Sequence, residues 1–233
     1  MGDYQISARK YRPKSFDEVI GQEVITSTLE NAVKTKQLAQ ALLFTGPRGV
    51  GKTSCARILA KMINENVKNN DSDFSFNIFE LDAASNNGVE GIRNLTDQIR
   101  IPPQTGNYKV YIIDEVHMLS SSAFNAFLKT LEEPPKHCVF ILATTEKHKI
   151  IPTILSRCQI YDFNRISVDD ICSYLIKISN REKIKFEESA INIIAKKADG
   201  SMRDALQIYD KILSSKNNEI SLSTVMEGLN IVD

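Results

Sequence analysis

The fold of this chain is decided by the segment Gly46-Pro47-Arg48-Gly49-Val50-Gly51-Lys52-Thr53. The segment fits the phosphate-loop pattern of Gly, any four residues and then Gly-Lys-Thr, without a mismatch. The apolar run Ala41–Thr45 before it is suited to a buried strand, and Ser54–Met62 after it has the spacing of a helix. A glycine-rich turn between a strand and a helix would explain Gly46 and Gly49, but it would not explain Lys-Thr at this offset.

Each residue type in the segment has a task in phosphate binding. The glycines let backbone N–H groups turn toward phosphate oxygens, and the start of the following helix adds a partial positive charge. We expect Lys52 to neutralise the β and γ phosphates and the Thr53 hydroxyl to bind Mg²⁺. The residues expected to contact the nucleotide here are Gly46, Pro47, Arg48, Gly49, Val50, Gly51, Lys52, Thr53 and Ser54.

Composition and charge exclude several classes of protein. The chain has 233 residues, and its 29 Lys and Arg balance its 29 Asp and Glu, so no net charge draws it to nucleic acid or to an anionic membrane. Any DNA contact must therefore be local. No apolar run approaches the roughly 20 residues of a membrane-spanning helix, and the start of the chain lacks a signal-peptide core. We expect a cytoplasmic protein without a membrane segment.

The cysteines are scattered along the chain, at Cys55, Cys138, Cys158 and Cys172. None of them forms a Cys-x-x-Cys pair, so the sequence indicates neither a disulfide framework nor a zinc site. We expect buried, reduced thiols.

Four further segments predict strands. Apolar runs without alternation fit strands buried on both faces of a parallel sheet. These runs are Ile78–Asp82, Val110–Glu115, Val139–Thr145 and, more approximately, Gln159–Phe163. Between them the spacing predicts helices over Glu23–Thr35, Val89–Arg100 and Ala123–Glu133, the last capped by Ser120–Ser122. The pattern indicates an α/β domain in which helices cover both faces of a parallel sheet.

Polar side chains follow two of these strands. In a parallel sheet the carboxyl ends of the strands meet at one edge, so Asp114 and Glu115 should lie near the phosphate loop. We expect Asp114 to bind Mg²⁺ and Glu115 to polarise the attacking water. Thr145, after a strand between the loop and the acids, would contact the γ-phosphate or the water. The alternatives are a turn or helix cap for the acids and plain β propensity for the threonine.

After Ser167 the pattern is helical throughout. Ser167 and Ser201 each begin a helix with an acid three residues on, and further helices are predicted over Glu187–Lys197 and Ser223–Leu229. We therefore predict two domains, an α/β nucleotide-binding domain over 1–165 and a small α-helical lid over 166–233.

These residues resemble AAA+ ATPases of the bacterial clamp-loader type. Such ATPases are components of the DNA polymerase III holoenzyme, and the holoenzyme is a DNA-directed DNA polymerase and nucleotidyltransferase. The resemblance runs over essentially the whole chain. Its most specific segments are Arg9–Pro13, Gly21-Gln22, the phosphate loop, Glu80–Ser85, Ile113–Leu119, Leu128–Pro135, Ala143–Thr145, Leu155–Cys158 and Gly200–Leu206.

The resemblance implies roles for residues outside the phosphate loop. Thr145 looks like the sensor of the γ-phosphate, and Arg157 looks like an arginine finger that acts on ATP bound to a neighbouring subunit. Arg203 looks like the second sensor, which reaches from the lid to the γ-phosphate. The alternative for both arginines is a surface ion pair. The segment Tyr11, Arg12 and Pro13, with Val19, would line the adenine pocket; a basic surface arm is the alternative.

Two departures from the family pattern matter. Relatives carry a four-cysteine zinc module after the phosphate-loop helix, whereas Asn64–Asn77 contains no cysteine, so we expect no zinc. The family also continues into a helical collar that holds a pentamer together. This sequence ends at Asp233, so we expect it to lack the collar and to be monomeric or weakly associated.

The resemblance also implies a function and a set of partners. The chain would bind ATP and Mg²⁺ and hydrolyse ATP as a motor subunit that, with the other clamp-loader subunits, loads the sliding clamp onto primer-template DNA in the cytoplasmic replisome. DNA contacts would be to backbone phosphates, with Ser120–Ser122 and Asn86–Gly88 as candidates and helix capping as their alternative. Two other functions stay open at this point: a non-hydrolysing structural subunit, or another AAA+ DNA motor in branch migration or helicase loading.

Overall fold

A computed structural model describes residues 6–65, 77–103, 106–215 and 219–230. The chain divides into two compact units. The sheet unit comprises Val24–Gly46 and Lys52–Phe163, and the helical unit comprises Met1–Glu23, Pro47–Gly51 and Asn164–Asp233. The predicted domains, 1–165 and 166–233, stay a prediction.

In the part of the sheet unit that the structure describes, five parallel strands pair in the order β2-β3-β4-β1-β5. The strands are β1 (Ala41–Thr45), β2 (Ile78–Asp82), β3 (Lys109–Asp114), β4 (Cys138–Thr144) and β5 (Gln159–Asp162). The predicted parallel sheet is confirmed, and β4 does lie between the strand that precedes the phosphate loop and the strand that ends in acids. Two strands end one residue early, so that Glu115 and Thr145 lie just beyond them.

Helices cover both faces of this sheet, as predicted. The helices that lie wholly or, for α2, after the first residue in the sheet unit are α2 (Glu23–Lys34), α3 (Lys52–Glu65), α4 (Val89–Ile99), α5 (Ser121–Glu132) and α6 (Pro152–Leu155). α4 and α5 pack on one face, where Phe127 of α5 meets Phe140 of β4 edge to face at 5.4 Å between ring centroids. Successive strand side chains point to opposite faces. α3 contacts β3 and β4 on the other face.

The chain turns sharply where β3 ends. Glu115 has left-handed backbone angles, with φ 47° and ψ 44°, and the 3-10 turn Val116–Met118 follows it. Val116 and Leu119 are buried and anchor this turn in the core. α5 then begins two residues before the predicted Ala123, because the Ser120 hydroxyl accepts the Ala123 N–H at 3.2 Å and caps the helix.

In the described residues of the helical unit, one short α-helix lies near the N-terminus and four lie in the C-terminal part. They are α1 (Ser7–Lys10), α7 (Val168–Glu182), α8 (Glu188–Lys197), α9 (Met202–Ser215) and α10 (Leu222–Leu229). The prediction that this part is helical throughout is wrong in one respect, because β6 (Lys185–Phe186) pairs in parallel with β7 (Glu219–Ile220). Two residues per strand are too short to leave a periodic signal in the sequence.

Among the residues that the structure describes, no helix is long and apolar enough to cross a membrane. All four cysteines are unpaired; Cys55 and Cys138 are buried, whereas Cys158 and Cys172 are half-buried. The segment Asn64–Asn77, on which the zinc prediction depends, falls mostly on residues 66–76, which lie outside the described ranges.

Candidate nucleotide site

In the sheet unit, the phosphate loop leaves β1 through a position that only glycine can occupy. Gly46 has φ 137°, and a Cβ there would overlap the backbone oxygen of Phe163 and lie 3.0 Å from its Cβ. Lys52, at the start of α3, is 6% exposed, and its Nζ donates to the Gly46 carbonyl at 2.7 Å. The ammonium group is therefore held against the first residue of the loop.

The residue before the loop is tied to β5. The Thr45 hydroxyl donates to the carboxylate of Asp162, and Lys147 Nζ donates to the same carboxylate at 2.9 Å. These two hydrogen bonds, the one from Thr45 first, lower the pKa of Asp162. The backbone N–H of Phe163 also donates to the Thr45 carbonyl at 2.7 Å. The start of the loop is thus fixed by both backbone and side-chain bonds.

Thr53 and Asp114 meet next to Lys52. The Thr53 Oγ1 donates to Asp114 Oδ2 at 2.7 Å, and Asp114 Oδ1 accepts the backbone N–H of Glu115 at 3.0 Å. A hydroxyl and a carboxylate are the oxygen ligands that Mg²⁺ prefers, so the donor set fits this ion. Within the described ranges, no group of three or more His, Cys, Asp or Glu could hold a metal by itself. Any Mg²⁺ here would need the oxygens of bound phosphate as well.

Glu115 and Thr145 are also brought together. The Thr145 hydroxyl donates to Glu115 Oε2 at 3.1 Å, and both residues are half-buried at the carboxyl edge of the sheet. The structure thus places five predicted residues in one unit, at the ends of three adjacent elements. Lys52 and Thr53 lie at the start of α3, Asp114 and Glu115 at the end of β3, and Thr145 directly after β4.

Two residues without a predicted role belong to the same group. His117 Nδ1 lies 2.9 Å from Thr144 Oγ1 and 3.5 Å from Glu115 Oε2, and its side chain is 6% exposed. The Thr144 hydroxyl is buried and also accepts the backbone N–H of Glu146 at 3.0 Å. The signal that could have found them is a polar residue close to each predicted position, Thr144 directly before Thr145 and His117 two residues after Glu115.

Arg157 lies apart from these residues in the sheet unit, just after α6. Its Nη2 donates to Glu132 Oε1 at 2.8 Å, and its Nη1 donates to the Thr153 carbonyl at 2.7 Å. Its side chain is 33% exposed, so the guanidinium is an accessible surface donor. The ion pair foreseen as the alternative reading is present, and it leaves the group near solvent.

In the helical unit, the middle of the phosphate loop lies against the start of α9. Gly49 has φ 76°, and a Cβ there would overlap the Ser201 hydroxyl. The backbone N–H of Arg203 approaches the Gly49 carbonyl at 3.4 Å, and the Arg203 side chain is half-buried. Arg203 is therefore adjacent to the loop through its backbone.

The residues predicted to line the adenine pocket have two different kinds of surroundings in this unit. Val19 is buried, and its Cγ1 would lie 3.8 Å from a Cβ on Gly51. The Tyr11 hydroxyl instead donates to the Glu182 carboxylate, which also accepts from Lys10 at 2.8 Å. These bonds, the one from Lys10 first, lower the pKa of Glu182. Tyr11 and the half-buried Arg12 and Pro13 stay candidates for the adenine pocket.

Two family profiles match the chain. The family described as DNA polymerase III, delta subunit, matches residues 21–167, and the DNA polymerase III clamp loader subunit ATPase lid domain matches residues 170–216. In structure, the chain is similar to the Holliday junction branch migration motor RuvB of Thermotoga maritima, with a TM-score of 0.73 and 22% identity over 95% of this chain and 72% of that one. At this identity the likeness shows the fold alone.

Relatives with much higher identity are known. The chain is 50% identical over 224 residues to the tau subunit of Bacillus subtilis DNA polymerase III. The matched region covers 91% of this chain and 40% of that protein. It is 42% identical over 242 residues to the gamma subunit from Buchnera aphidicola of Schizaphis graminum, covering 98% of this chain and 67% of that subunit. The profiles and these identities show that the chain belongs to the AAA+ clamp-loader family that includes the tau and gamma subunits of bacterial DNA polymerase III.

Proposed function

We propose that this chain is the ATPase part of a bacterial clamp-loader motor subunit and that it hydrolyses ATP to ADP and phosphate. The observation that carries the proposal is the 2.7 Å contact between Thr53 and Asp114 directly after the phosphate loop. A hydroxyl and a carboxylate held together next to Lys52 make the arrangement that a nucleotide with its Mg²⁺ requires. The subunit works beside the polymerase and is itself not a polymerase.

Phosphate binding uses the backbone of the loop and one side chain. N–H groups of Gly46–Thr53 surround the phosphates, and Lys52 exchanges its bond to the Gly46 carbonyl for a bond to phosphate oxygen. Thr53 and Asp114 are the residues that would hold Mg²⁺. The ion supplies charge neutralisation for the phosphates when it is bound.

Glu115 is the residue that would accept a proton from the attacking water. Its carboxylate lies beyond the end of β3 and is held through Oε2 by the Thr145 hydroxyl. Thr145 can therefore sense the γ-phosphate only by giving up or sharing this bond. The sensor and the base are coupled from the start by a single hydrogen bond.

Arg157 is proposed as the arginine finger for ATP on a neighbouring subunit. Its guanidinium is planar and permanently charged, which suits the charge that develops on a transferred phosphoryl group. Its pair with Glu132 is partly exposed, and such pairs contribute about 0–1 kcal/mol, so docking of a neighbour can replace it at low cost. Arg203, beside Gly49, is proposed as the second sensor of the γ-phosphate.

The proposed partners are the other clamp-loader subunits, the sliding clamp and primer-template DNA, at the cytoplasmic replisome. The curated relative from Bacillus subtilis is longer, since the chain spans 40% of its length, so the activity of the whole protein belongs to this proposal. DNA would be contacted through backbone phosphates near Ser120–Ser122 and Asn86–Gly88.

Nucleotide binding tests the site. We expect Lys52→Ala to weaken binding of ATP·Mg²⁺ at least about tenfold, measured by calorimetry or with a fluorescent ATP analogue. Lys61→Ala is the matched control, since Lys61 is an exposed lysine on the same helix. Equal affinity of the Lys52→Ala variant and the wild-type chain would refute the site.

ATP hydrolysis in an assembly with partner subunits tests Arg157 as the arginine finger. In the reconstituted clamp loader, Arg157→Ala should lower ATP hydrolysis by about 10³-fold or more, whereas Arg100→Ala, at an exposed arginine after α4, should not. Unchanged hydrolysis in the Arg157→Ala assembly would remove the role in trans.

Capture of the sliding clamp that increases with ATP would separate this function from that of another AAA+ motor.

A further inference from the structure

We propose that His117 is a positioning residue for the hydrolytic step, because it fixes the carboxylate of Glu115 against the end of β4. The inference rests on the proposed ATPase function and deepens it. No role in the proposed reaction described above uses His117, although it is among the least exposed polar side chains at the carboxyl edge of the sheet.

The backbone delivers His117 to this place. Glu115 takes the left-handed conformation, and the 3-10 turn then closes with the Met118 N–H donating to the Glu115 carbonyl at 2.8 Å. The left-handed conformation costs about 1–2 kcal/mol in a residue with a side chain. The turn reverses the chain, so that the imidazole, two residues after Glu115, comes back to the same carboxylate.

The ring has a polar neighbour at each nitrogen. Nδ1 shares a hydrogen bond of 2.9 Å with Thr144 Oγ1, and Nε2 lies 3.4 Å from Glu146 Oε1. Because a carboxylate only accepts hydrogen bonds, the tautomer that restrains Glu115 carries its hydrogen on Nδ1, which then faces both Thr144 Oγ1 and Glu115 Oε2. The Thr144 hydroxyl is fixed in turn by the Glu146 N–H. The imidazole is thus attached to the end of β4 through Thr144.

The same ring limits the movement of Glu115. Nδ1 lies 3.5 Å from Glu115 Oε2, the oxygen that also accepts from Thr145. With Oε2 confined by the ring and by Thr145, Oε1 is the oxygen that we assign to the water. A displacement of a catalytic group by about 1 Å can cost about 10²-fold in rate, so loss of the ring should act on hydrolysis more than on binding.

Three variants separate the contacts. His117→Asn keeps a polar group near the Nδ1 position, His117→Gln keeps one near the Nε2 position, and His117→Leu keeps neither. The measurements are single-turnover hydrolysis of ATP·Mg²⁺ in the reconstituted clamp loader, and ATP affinity and the thermal midpoint of the full chain. His148→Leu is the matched control, because His148 is 77% exposed and lies 3.6 Å from the same Glu146.

We expect the single-turnover rate to fall by about 10-fold to 100-fold in His117→Leu, with ATP affinity within about twofold of wild type. His117→Asn should recover most of the rate, His117→Gln less, and His148→Leu should match wild type. A His117→Leu chain that is folded and as fast as wild type would overturn the inference, and so would a folded Asn variant as slow as the Leu variant. If the Leu variant fails to fold, the Asn and Gln pair decides. A reconstituted wild-type clamp loader that binds ATP and never hydrolyses it would instead refute the proposed function, and the inference with it.

Discussion

Replacing Gly46 by alanine should destabilise the chain strongly. At φ 137° an alanine is strained, at a cost of about 1–3 kcal/mol. Its Cβ would also overlap the Phe163 carbonyl oxygen, a backbone atom that cannot swing aside, and overpacking of this kind costs about 1–3 kcal/mol. The sum is roughly 2–6 kcal/mol. At about 2–4 °C per kcal/mol for a chain of this size, the thermal midpoint should fall by roughly 10 °C.

Two other glycines provide the matched series. Gly51 has φ 107°, but the nearest atom to its added Cβ would be Val19 Cγ1 at 3.8 Å, so Gly51→Ala carries strain without overlap. Gly88, the N-cap of α4, has φ −82° and open space around the added Cβ. Thermal unfolding followed by circular dichroism should therefore rank the losses as Gly46→Ala, Gly51→Ala and Gly88→Ala. A Gly46→Ala loss no larger than that of Gly88→Ala would refute the reasoning.

Three more predictions follow from single groups. The buried Tyr111 hydroxyl has no hydrogen-bond partner among the described residues, so Tyr111→Phe should leave the free energy of unfolding unchanged or raise it by about 1 kcal/mol. Tyr209→Phe loses a 2.8 Å hydrogen bond to Ser179 and should lower the free energy of unfolding by about 1 kcal/mol. Urea unfolding measures both. Burial raises the pKa of Cys55 from 9.0 to about 12, so its protonated thiol contributes stability below pH 9.0 that is lost as the pH rises toward about 12. Stability should fall by about 1 kcal/mol per pH unit in this window, and the fall should be shallower in Cys55→Ala; equal slopes would contradict the assignment. Glu115→Gln should retain ATP binding and lose about 10²–10⁴-fold in hydrolysis, and a variant that still hydrolyses at the wild-type rate would exclude Glu115 as the base.

The sheet could be predicted from sequence because its signals are local. β1, β3 and β4 are continuous apolar runs, and such runs are what burial on both faces of a parallel sheet requires. The phosphate loop adds glycines at positions that need positive φ, which the structure has at Gly46, Gly49 and Gly51. Each of these signals lies within one short window of residues.

The remaining features depend on contacts that no short window contains. The pairing of His117 with Thr144 joins residues 27 positions apart, and the pairing of Arg157 with Glu132 joins residues 25 positions apart. Neither the partner of Arg157 nor the role of His117 can be inferred before the strand order is known. The left-handed turn at Glu115 was also hidden, because a charged residue gives no local signal for positive φ, unlike glycine.

The anchoring of Thr45 has a consequence for the synthesis of the protein. β1 sits between β4 and β5, and the carboxylate that holds Thr45 comes from Asp162, 117 residues later in the chain. Long-range parallel pairing is intrinsically slow, because a long loop must close before any contact forms. On the ribosome, β1 therefore has no partner strand until β4 has emerged, and its other edge and the side chain of Thr45 wait until β5 has emerged. A nascent chain should acquire its ability to capture nucleotide late and in one step, and until then its exposed apolar strand is a target for chaperones.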